Sequence, residues 1–287
     1  MKLNISSLSE RLMSEIVAKE FQTIAGKMVY NKFLGRKKEV VILYIHGLGP
    51  ITSRYKEGFA RQFKELFLSE YSVILPNLIG FGESAKPNQL DLYTMENQGQ
   101  YLYNLLLVEK VRNVVIMATS MGGPIAISLI ENIKNKKNNM IKIKGLLYLE
   151  GNLDINDTFF SSSITKYSFE QFKEQFDSWV DNQIEKWKST YLEEYRSMGP
   201  WSIWGSAHDL VKLSESDQLF PRLLQLIEFP VYFIFGEKNI GRYTSETLIK
   251  NANLPVKYIP NAAHLMRIDN PQDYWKIIKE LLQSCNL

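Results

Sequence analysis

The chain has 287 residues, of which 45% are hydrophobic and 23% charged, and its formal net charge is +3. These proportions are those of soluble globular proteins rather than of disordered or membrane chains. The densest basic cluster, Lys134, Lys136 and Lys137, lies in a polar, Asn-rich segment. Such a cluster is typical of a solvated loop, so we expect no nucleic-acid partner.

The first twenty residues, MKLNISSLSERLMSEIVAKE, predict a short amphipathic helix, because Leu8, Leu12 and Ile16 recur every four residues. This helix would pack on the body of the protein, on a second copy or on a membrane surface, so a monomer and a homodimer both remain open. Charged residues interrupt the apolar ones, unlike in a secretory signal. No run approaches the roughly 18 apolar residues of a membrane-spanning helix. Together with the single cysteine, Cys285, this predicts a cytoplasmic protein without intrachain disulfides.

Six short apolar runs predict strands that are buried on both faces, because polar residues do not alternate with apolar ones in them. They are VVILYI at 40–45, SVILP at 72–76, NVVIMA at 113–118, GLLYLE at 145–150, VYFIF at 231–235 and VKYIP at 256–260. Segments of helical periodicity lie between them, such as the one with Tyr101, Leu102, Leu105 and Leu106. The pattern predicts an α/β fold with a mostly parallel twisted sheet and a ligand site at the carboxyl ends of its strands.

The long stretch between the fourth and fifth of these runs contains no strand-like segment. Aromatic and aliphatic residues recur there at roughly helical intervals, namely Phe169, Phe172, Phe176, Trp179, Ile184 and Trp187. We therefore predict a first core segment at 1–151, a helical insertion at 152–226 and a second core segment at 227–287. The pattern favours an internal core for the insertion, and several of these side chains facing the sheet would form an apolar roof over a site.

Ser120 follows the run at 113–118 and precedes the helical sequence GGPIAISLIENI. A strand–turn–helix context of this kind exposes a side chain on a strained corner, and the small residues Ala118, Gly122 and Gly123 suit such a corner. A serine hydroxyl is a weak nucleophile that needs an imidazole to take its proton and backbone donors to bind the developing negative charge. Ser120 is therefore either a nucleophile or a small residue at a crowded turn.

Four segments decide between these interpretations. In chain order they are HGLGP at 46–50, PNLIGFGES at 76–84, ATSMGG at 118–123, and NAAH at 261–264 followed by IDNP at 268–271. They resemble the oxyanion loop, the Gly-x-Gly-x-Ser turn, the nucleophile elbow and the catalytic-histidine loop of the α/β-hydrolase superfamily. The resemblance spans nearly the whole chain and implies the α/β-hydrolase fold with an inserted helical cap. It also implies Ser120 as nucleophile, His264 as general base and the backbone N–H groups of Leu48 and Met121 as oxyanion donors.

Two positions depart from the family pattern. Ala118 stands where the elbow usually has glycine, a difference of one methyl group. The sequence GEKN at 236–239 places Asn239 where the family commonly has its catalytic Asp, and an amide cannot stabilise an imidazolium by charge. Some members carry the acid at the end of the preceding strand, where Glu150 stands. Glu150 is therefore the expected acid, with Asp154 and Glu237 as alternatives.

A serine nucleophile implies an acyl-enzyme intermediate. We expect a carboxylic ester of small to medium size with an apolar part as the substrate. A C–C bond hydrolase, a thioesterase and a non-catalytic ligand-binding relative are the alternatives. His46 is expected to shape the oxyanion loop through a hydrogen bond to backbone, and His208 to be a residue of the insertion without a catalytic role. The sequence shows no phosphate loop, metal cluster or dinucleotide motif, so we predict no cofactor and no metal.

Overall fold

The computed structural model of the chain describes residues 16–49, 58–59, 62–63, 70–136 and 140–285. In this part of the chain, eight strands form one sheet in the order β1-β2-β4-β3-β5-β6-β7-β8. The strands are β1 (Ile16–Thr23), β2 (Gly26–Phe33), β3 (Lys37–Ile45), β4 (Tyr71–Pro76), β5 (Asn113–Thr119), β6 (Lys142–Leu149), β7 (Val231–Gly236) and β8 (Val256–Ile259). β3 to β8 pair in parallel, which confirms the predicted mostly parallel sheet. All six predicted strands are present.

The antiparallel hairpin of β1 and β2 was not predicted. The helix expected around Leu8, Leu12 and Ile16 is wrong at Ile16, which is the first residue of β1, whereas Leu8 and Leu12 lie outside the described residues. β1 is an edge strand in which exposed Lys19, Glu20 and Gln22 follow exposed apolar residues. Solvated strands of this kind lack the continuous apolar run on which the strand prediction relied.

Residues 58–59 and 62–63 are helical, and ten further α-helices have both ends within the described residues. They are α1 (Met95–Val108), α2 (Gly122–Asn135), α3 (Phe159–Thr165), α4 (Phe169–Glu174), α5 (Phe176–Trp187), α6 (Glu194–Glu215), α7 (Leu219–Leu226), α8 (Thr244–Asn251), α9 (Met266–Asp269) and α10 (Pro271–Ser284). The predicted helix with Tyr101 to Leu106 is part of α1. None of the helices in the described ranges combines the length and the apolar content that a membrane-spanning helix requires.

The central strands are apolar throughout because helices cover both faces of the sheet. In β3, Leu43 and Ile45 belong to the cluster that also contains residues of α1 and α2, whereas Ile42 and Tyr44 belong to the cluster that contains residues of α10. Successive side chains of a strand point to opposite faces, so both sets of residues are buried. This packing explains why polar residues do not alternate with apolar ones in the central strands.

The segment between β6 and β7 contains α3 to α7 and, among its described residues, no strand. Phe172, Phe176 and Trp179 of its aromatic pattern are buried and pack edge to face or stacked on one another, whereas Trp187 is exposed. Most of the pattern is therefore internal core of this segment. The boundaries at 151/152 and 226/227 stay predictions, although α7 ends at Leu226.

Two polar contacts attach this segment to the helices that cover the sheet. Arg222 of α7 binds Glu131 of α2 through both carboxylate oxygens, at 2.9 and 2.7 Å. Asp209 of α6 accepts a hydrogen bond of 2.7 Å from the backbone N–H of Met95, the first residue of α1. An acceptor at a helix N-terminus satisfies a free N–H group and is favoured by the helix dipole.

Glu109, directly after α1, connects that helix to the β1–β2 hairpin. Its buried carboxylate accepts hydrogen bonds from Lys19 at 2.5 Å, from the hydroxyl of Tyr30 at 2.6 Å and from Lys32. Burial acts to raise the pKa of the Glu109 carboxyl, but these donors outweigh it and lower the pKa from 4.5 to about 2. The lowered pKa stabilises the fold at pH values above 4.5, and this stabilisation is lost as the pH falls towards 2.

We predict that Glu109→Gln lowers the free energy of unfolding at pH 7 by about 1–3 kcal/mol, because it removes the charge that both lysines bind. Urea unfolding followed by circular dichroism measures the change. Glu20→Gln is the matched control, since Glu20 pairs with Lys27 at 3.0 Å on the surface of the same hairpin, and its effect is expected to stay within about 0.5 kcal/mol. Equal effects of the two substitutions would contradict the role of Glu109.

Candidate active site

Ser120 lies on a sharp turn between β5 and α2. Its φ angle is +54°, a left-handed conformation that is strained for a residue with a side chain. Its N–H donates to the carbonyl of Leu149 at 3.1 Å, and its carbonyl accepts from the N–H of Gly123 at 2.8 Å. The first bond attaches the turn to the adjacent strand β6, and the second attaches it to the first turn of α2.

Gly122 and Gly123 are required by the close approach of neighbouring atoms. A Cβ atom on Gly122 would lie 2.5 Å from the carbonyl oxygen of Ile45, and one on Gly123 would overlap the ring of Tyr148. Ala118, in contrast, lies fully buried in the ladder of β5 between β3 and β6. The methyl group at this departure from the family pattern is therefore accommodated.

The loop after β3 passes directly over the serine side chain. A Cβ atom on Gly47 would lie 2.9 Å from Cβ and 3.5 Å from Oγ of Ser120, so only glycine fits there. Leu48 comes next, and Met121 follows the serine. Within the described residues, the backbone N–H groups of Leu48 and Met121 donate to no backbone acceptor. Free N–H groups beside a nucleophile are what binding of an oxyanion requires.

His46 is buried beneath this loop and has the predicted hydrogen bond to backbone. Its Nδ1 lies 2.8 Å from the carbonyl oxygen of Gly47, and the N–H of Leu78 donates to its Nε2 at 3.2 Å. Because Nε2 accepts, the ring is neutral and its proton is on Nδ1. Burial lowers the pKa of His46 to about 4, which agrees with that tautomer. His46 is thus a neutral support between two loops.

Glu150, directly after β6, has a fully buried side chain that accepts hydrogen bonds from four groups. The N–H of Gly236 donates to Oε1 at 2.7 Å, and Nδ2 of Asn239 lies 3.0 and 3.1 Å from the two oxygens. Oε2 also binds the hydroxyl of Tyr243 at 3.0 Å and Nδ1 of His264 at 2.6 Å. Burial acts to raise the pKa of the Glu150 carboxyl, but His264, Asn239 and Gly236 together lower it below its usual value. The carboxylate is therefore ionised.

The two alternative acids bind other groups. Asp154 accepts from the hydroxyl of Thr244 at 2.6 Å and caps the short helical turn at 155–158. Glu237 lies on the surface and accepts from the N–H of Asn261 at 2.8 Å. Of the three predicted candidates, the structure brings only Glu150 into contact with His264.

His264 lies in the loop after β8, and its side chain is 34% exposed. Its Nδ1 contacts Glu150 and, at 3.3 Å, the hydroxyl of Tyr243, which leaves Nε2 available. Among the described residues, Oγ of Ser120 makes no hydrogen bond, and none joins it to His264. Catalytic hydrogen bonds are often long in a free enzyme and shorten when substrate binds.

The remaining histidine, His208, lies outside this site. It is exposed on α6, where its ring stacks on Trp204 with 4.5 Å between ring centroids. In the described residues, no group of three or more His, Cys, Asp or Glu side chains could hold a metal ion. Asn239 was recognised as a departure, but its role as a donor to Glu150 was not. Tyr243 was missed, because no local sequence pattern marks it.

Comparison with known proteins identifies the family. Residues 40–201, more than half of the chain, match the family model for the α/β-hydrolase fold, so the chain belongs to this family. It is similar to Lipase 1 of Psychrobacter immobilis and Lipase 3 of a Moraxella species, with 36% and 33% identity over 121 residues. Each match covers 42% of this chain but only 36% of the lipase.

A solved structure extends the similarity in fold to almost the whole chain. An esterase from Exiguobacterium antarcticum superposes with a TM-score of 0.67 and 14% identity, over 93% of this chain and 100% of the esterase. Together with the eight-stranded sheet, this confirms the predicted fold.

We predict that Asn239→Asp destabilises the protein at pH 7, by about 1–3 kcal/mol, because it replaces a donor by a second carboxylate against Glu150. Repulsion between the two carboxylates raises the pKa of the pair. As the pH falls and one of the two carboxylates is protonated, the lost stability should therefore return. Urea unfolding between pH 5 and 8 measures both effects. Asn251→Asp, on the exposed end of α8, adds the same charge as a control. A destabilisation independent of pH would contradict the contact with Glu150.

Proposed function

We propose that the protein is a serine hydrolase that cleaves a carboxylic ester through an acyl-enzyme on Ser120. The observation that carries this proposal is the 2.6 Å hydrogen bond between Nδ1 of His264 and the ionised carboxylate of Glu150. A histidine held in this way presents a basic Nε2, and a carboxylate partner stabilises the imidazolium that forms when Nε2 takes a proton. The elbow of Ser120 supplies the matching nucleophile.

Each residue has a role in the proposed reaction. Oγ of Ser120 attacks the ester carbonyl as Nε2 of His264 takes its proton, and the N–H groups of Leu48 and Met121 bind the negative oxygen of the tetrahedral intermediate. The imidazolium then gives its proton to the leaving alcohol, and Ser120 stays acylated. Water, activated by Nε2 in the same way, releases the acid and restores the hydroxyl.

Exposed apolar side chains near the site support a substrate with an apolar part. Phe159 is 62% exposed and packs on Tyr243 with 6.2 Å between the ring centroids. Leu265, directly after His264, is 59% exposed. The similarity to two lipases and an esterase favours an ester over the thioester and C–C alternatives. We therefore propose a small to medium ester with an apolar part as the substrate. We also propose that the protein acts in the cytoplasm, as a monomer or a homodimer.

The first test of this proposal is covalent labelling with a fluorophosphonate. We expect stoichiometric labelling of Ser120, no labelling of Ser120→Ala, and labelling of His264→Ala that is slower by a factor of about a hundred or more, because the general base is lost. Intact-protein mass spectrometry measures the rates. Ser197→Ala removes an exposed serine of the insertion and should label at the wild-type rate. Binding of small ligands without any labelling would favour a non-catalytic relative.

The second test compares the three carboxylates. We expect Glu150→Gln to lower kcat for p-nitrophenyl esters by a factor of about 10²–10⁴, because the imidazolium loses its charged partner. Asp154→Asn and Glu237→Gln are the controls, and both should keep kcat within a few-fold of wild type. Near-wild-type turnover of folded Glu150→Gln would disprove the assignment of the acid.

A further inference from the structure

The hydroxyl of Tyr243 binds the same carboxylate oxygen as the imidazole of His264. Its oxygen lies 3.0 Å from Oε2 of Glu150 and 3.3 Å from Nδ1 of His264, and Nδ1 lies 2.6 Å from the same Oε2. The three atoms therefore form a closed triangle. Tyr243 comes directly before α8 and is buried, and none of the motifs that identify the family includes it.

The direction of the hydrogen bonds in this triangle follows from the protonation states. Oε2 of the ionised Glu150 can only accept, and a neutral His264 with a basic Nε2 carries its proton on Nδ1, which points to Oε2. The hydroxyl of Tyr243 can therefore donate only to Oε2. Burial and the carboxylate of Glu150, with a smaller effect of Asp157, raise the pKa of Tyr243 far above its usual value, so the hydroxyl keeps its proton.

We propose that Tyr243 is a positioning residue that shares Oε2 of Glu150 with His264 and thereby limits how strongly Glu150 attracts the imidazolium. This inference rests on the proposed hydrolysis at Ser120. A second donor on Oε2 stabilises the carboxylate and takes up part of its negative charge, which weakens the attraction between Glu150 and the imidazolium. Without the hydroxyl, the full charge of Oε2 would act on the imidazolium of His264.

The surrounding charged and polar groups are independent of this hydroxyl. Asp157 and Arg242 act on Tyr243 through space, and Nη1 of Arg242 donates to Oδ1 of Asn239 at 3.2 Å, which directs Nδ2 of Asn239 to Glu150. In the loop that carries His264, Asp269 accepts from the N–H of Ala263 at 2.8 Å. Tyr243→Phe leaves all of these groups in place.

The aromatic ring has a packing role that must be separated from that of the hydroxyl. It packs against Phe159 at 6.2 Å and Phe235 at 5.9 Å between ring centroids. Phenylalanine keeps both contacts, and Glu150 keeps its bonds to Gly236, Asn239 and His264. Tyr243→Phe is therefore expected to fold and to isolate the effect of the hydroxyl.

The experiment measures the fluorophosphonate labelling rate of Ser120 as a function of pH. In Tyr243→Phe the acidic limb of the profile should move to higher pH by about 0.5 unit, which is a roughly threefold lower rate on the limb. The Nδ1 proton of His264 gives a readout that does not depend on activity. Its NMR resonance should move downfield in Tyr243→Phe, because its hydrogen bond to Glu150 becomes stronger.

Tyr30→Phe is the matched control. It removes the same kind of hydrogen bond, from a buried tyrosine to the carboxylate of Glu109 at 2.6 Å, directly after the C-terminal end of α1. Among the described residues, Glu109 makes no hydrogen bond to Ser120, Glu150 or His264. In this variant, the acidic limb of the labelling profile and the NMR resonance of the Nδ1 proton of His264 should both stay unchanged. Shifts of equal size in Tyr30→Phe would overturn the inference.

The outcomes separate this inference from the proposed function. If wild-type Ser120 is labelled but Tyr243→Phe shifts neither the limb nor the resonance, the inference is overturned and the hydrolase proposal stands. If wild-type Ser120 is not labelled, the hydrolase proposal fails. The resonance then decides the inference alone, since a downfield shift supports the sharing of Oε2 and an unchanged position overturns it.

Discussion

An ionised carboxylate without access to solvent organises the end of the sheet where Ser120 lies. Such a group is tolerated in a protein interior only when its oxygens receive enough hydrogen bonds. The donors to Glu150 come from β7, from the turn after it and from the loop after β8, and they include Nδ1 of His264 at 2.6 Å. The end of β6, the β7 turn and the loop after β8 are far apart in sequence, so the carboxylate fixes their positions relative to one another.

The position of the acid and the amide at Asn239 depend on each other. With the carboxylate at the end of β6, a second carboxylate after β7 would face it at about 3 Å, and two like charges at that distance cannot both stay ionised. Asn239 has nearly the same shape as Asp but donates hydrogen bonds from Nδ2, and Arg242 fixes its orientation through Oδ1. The departure from the family pattern is therefore part of the same arrangement as Glu150.

The sequence allowed prediction of the features that depend on local chemistry. The central strands β4, β5 and β7 are buried on both faces along most of their length, and the small residues around Ser120 reflect a crowded corner. The β1–β2 hairpin was missed because an edge strand mixes polar and apolar residues. The contact of Tyr243 with Glu150 joins residues 93 positions apart, and nothing in either local sequence signals it. Glu150 could be predicted as a candidate for the acid. Choosing it over Asp154 and Glu237 required knowledge of the hydrogen-bond partners of all three carboxylates.

The most direct test of the account is the crystal structure of the protein after reaction with a fluorophosphonate. We predict a covalent bond to Oγ of Ser120, a phosphonyl oxygen within hydrogen-bond distance of the N–H groups of Leu48 and Met121, and Nε2 of His264 about 3 Å from Oγ. Nδ1 of His264 should still bind Glu150. An adduct in which the ring of His264 lies out of reach of Oγ, or in which Nδ1 binds a group other than Glu150, would contradict the account.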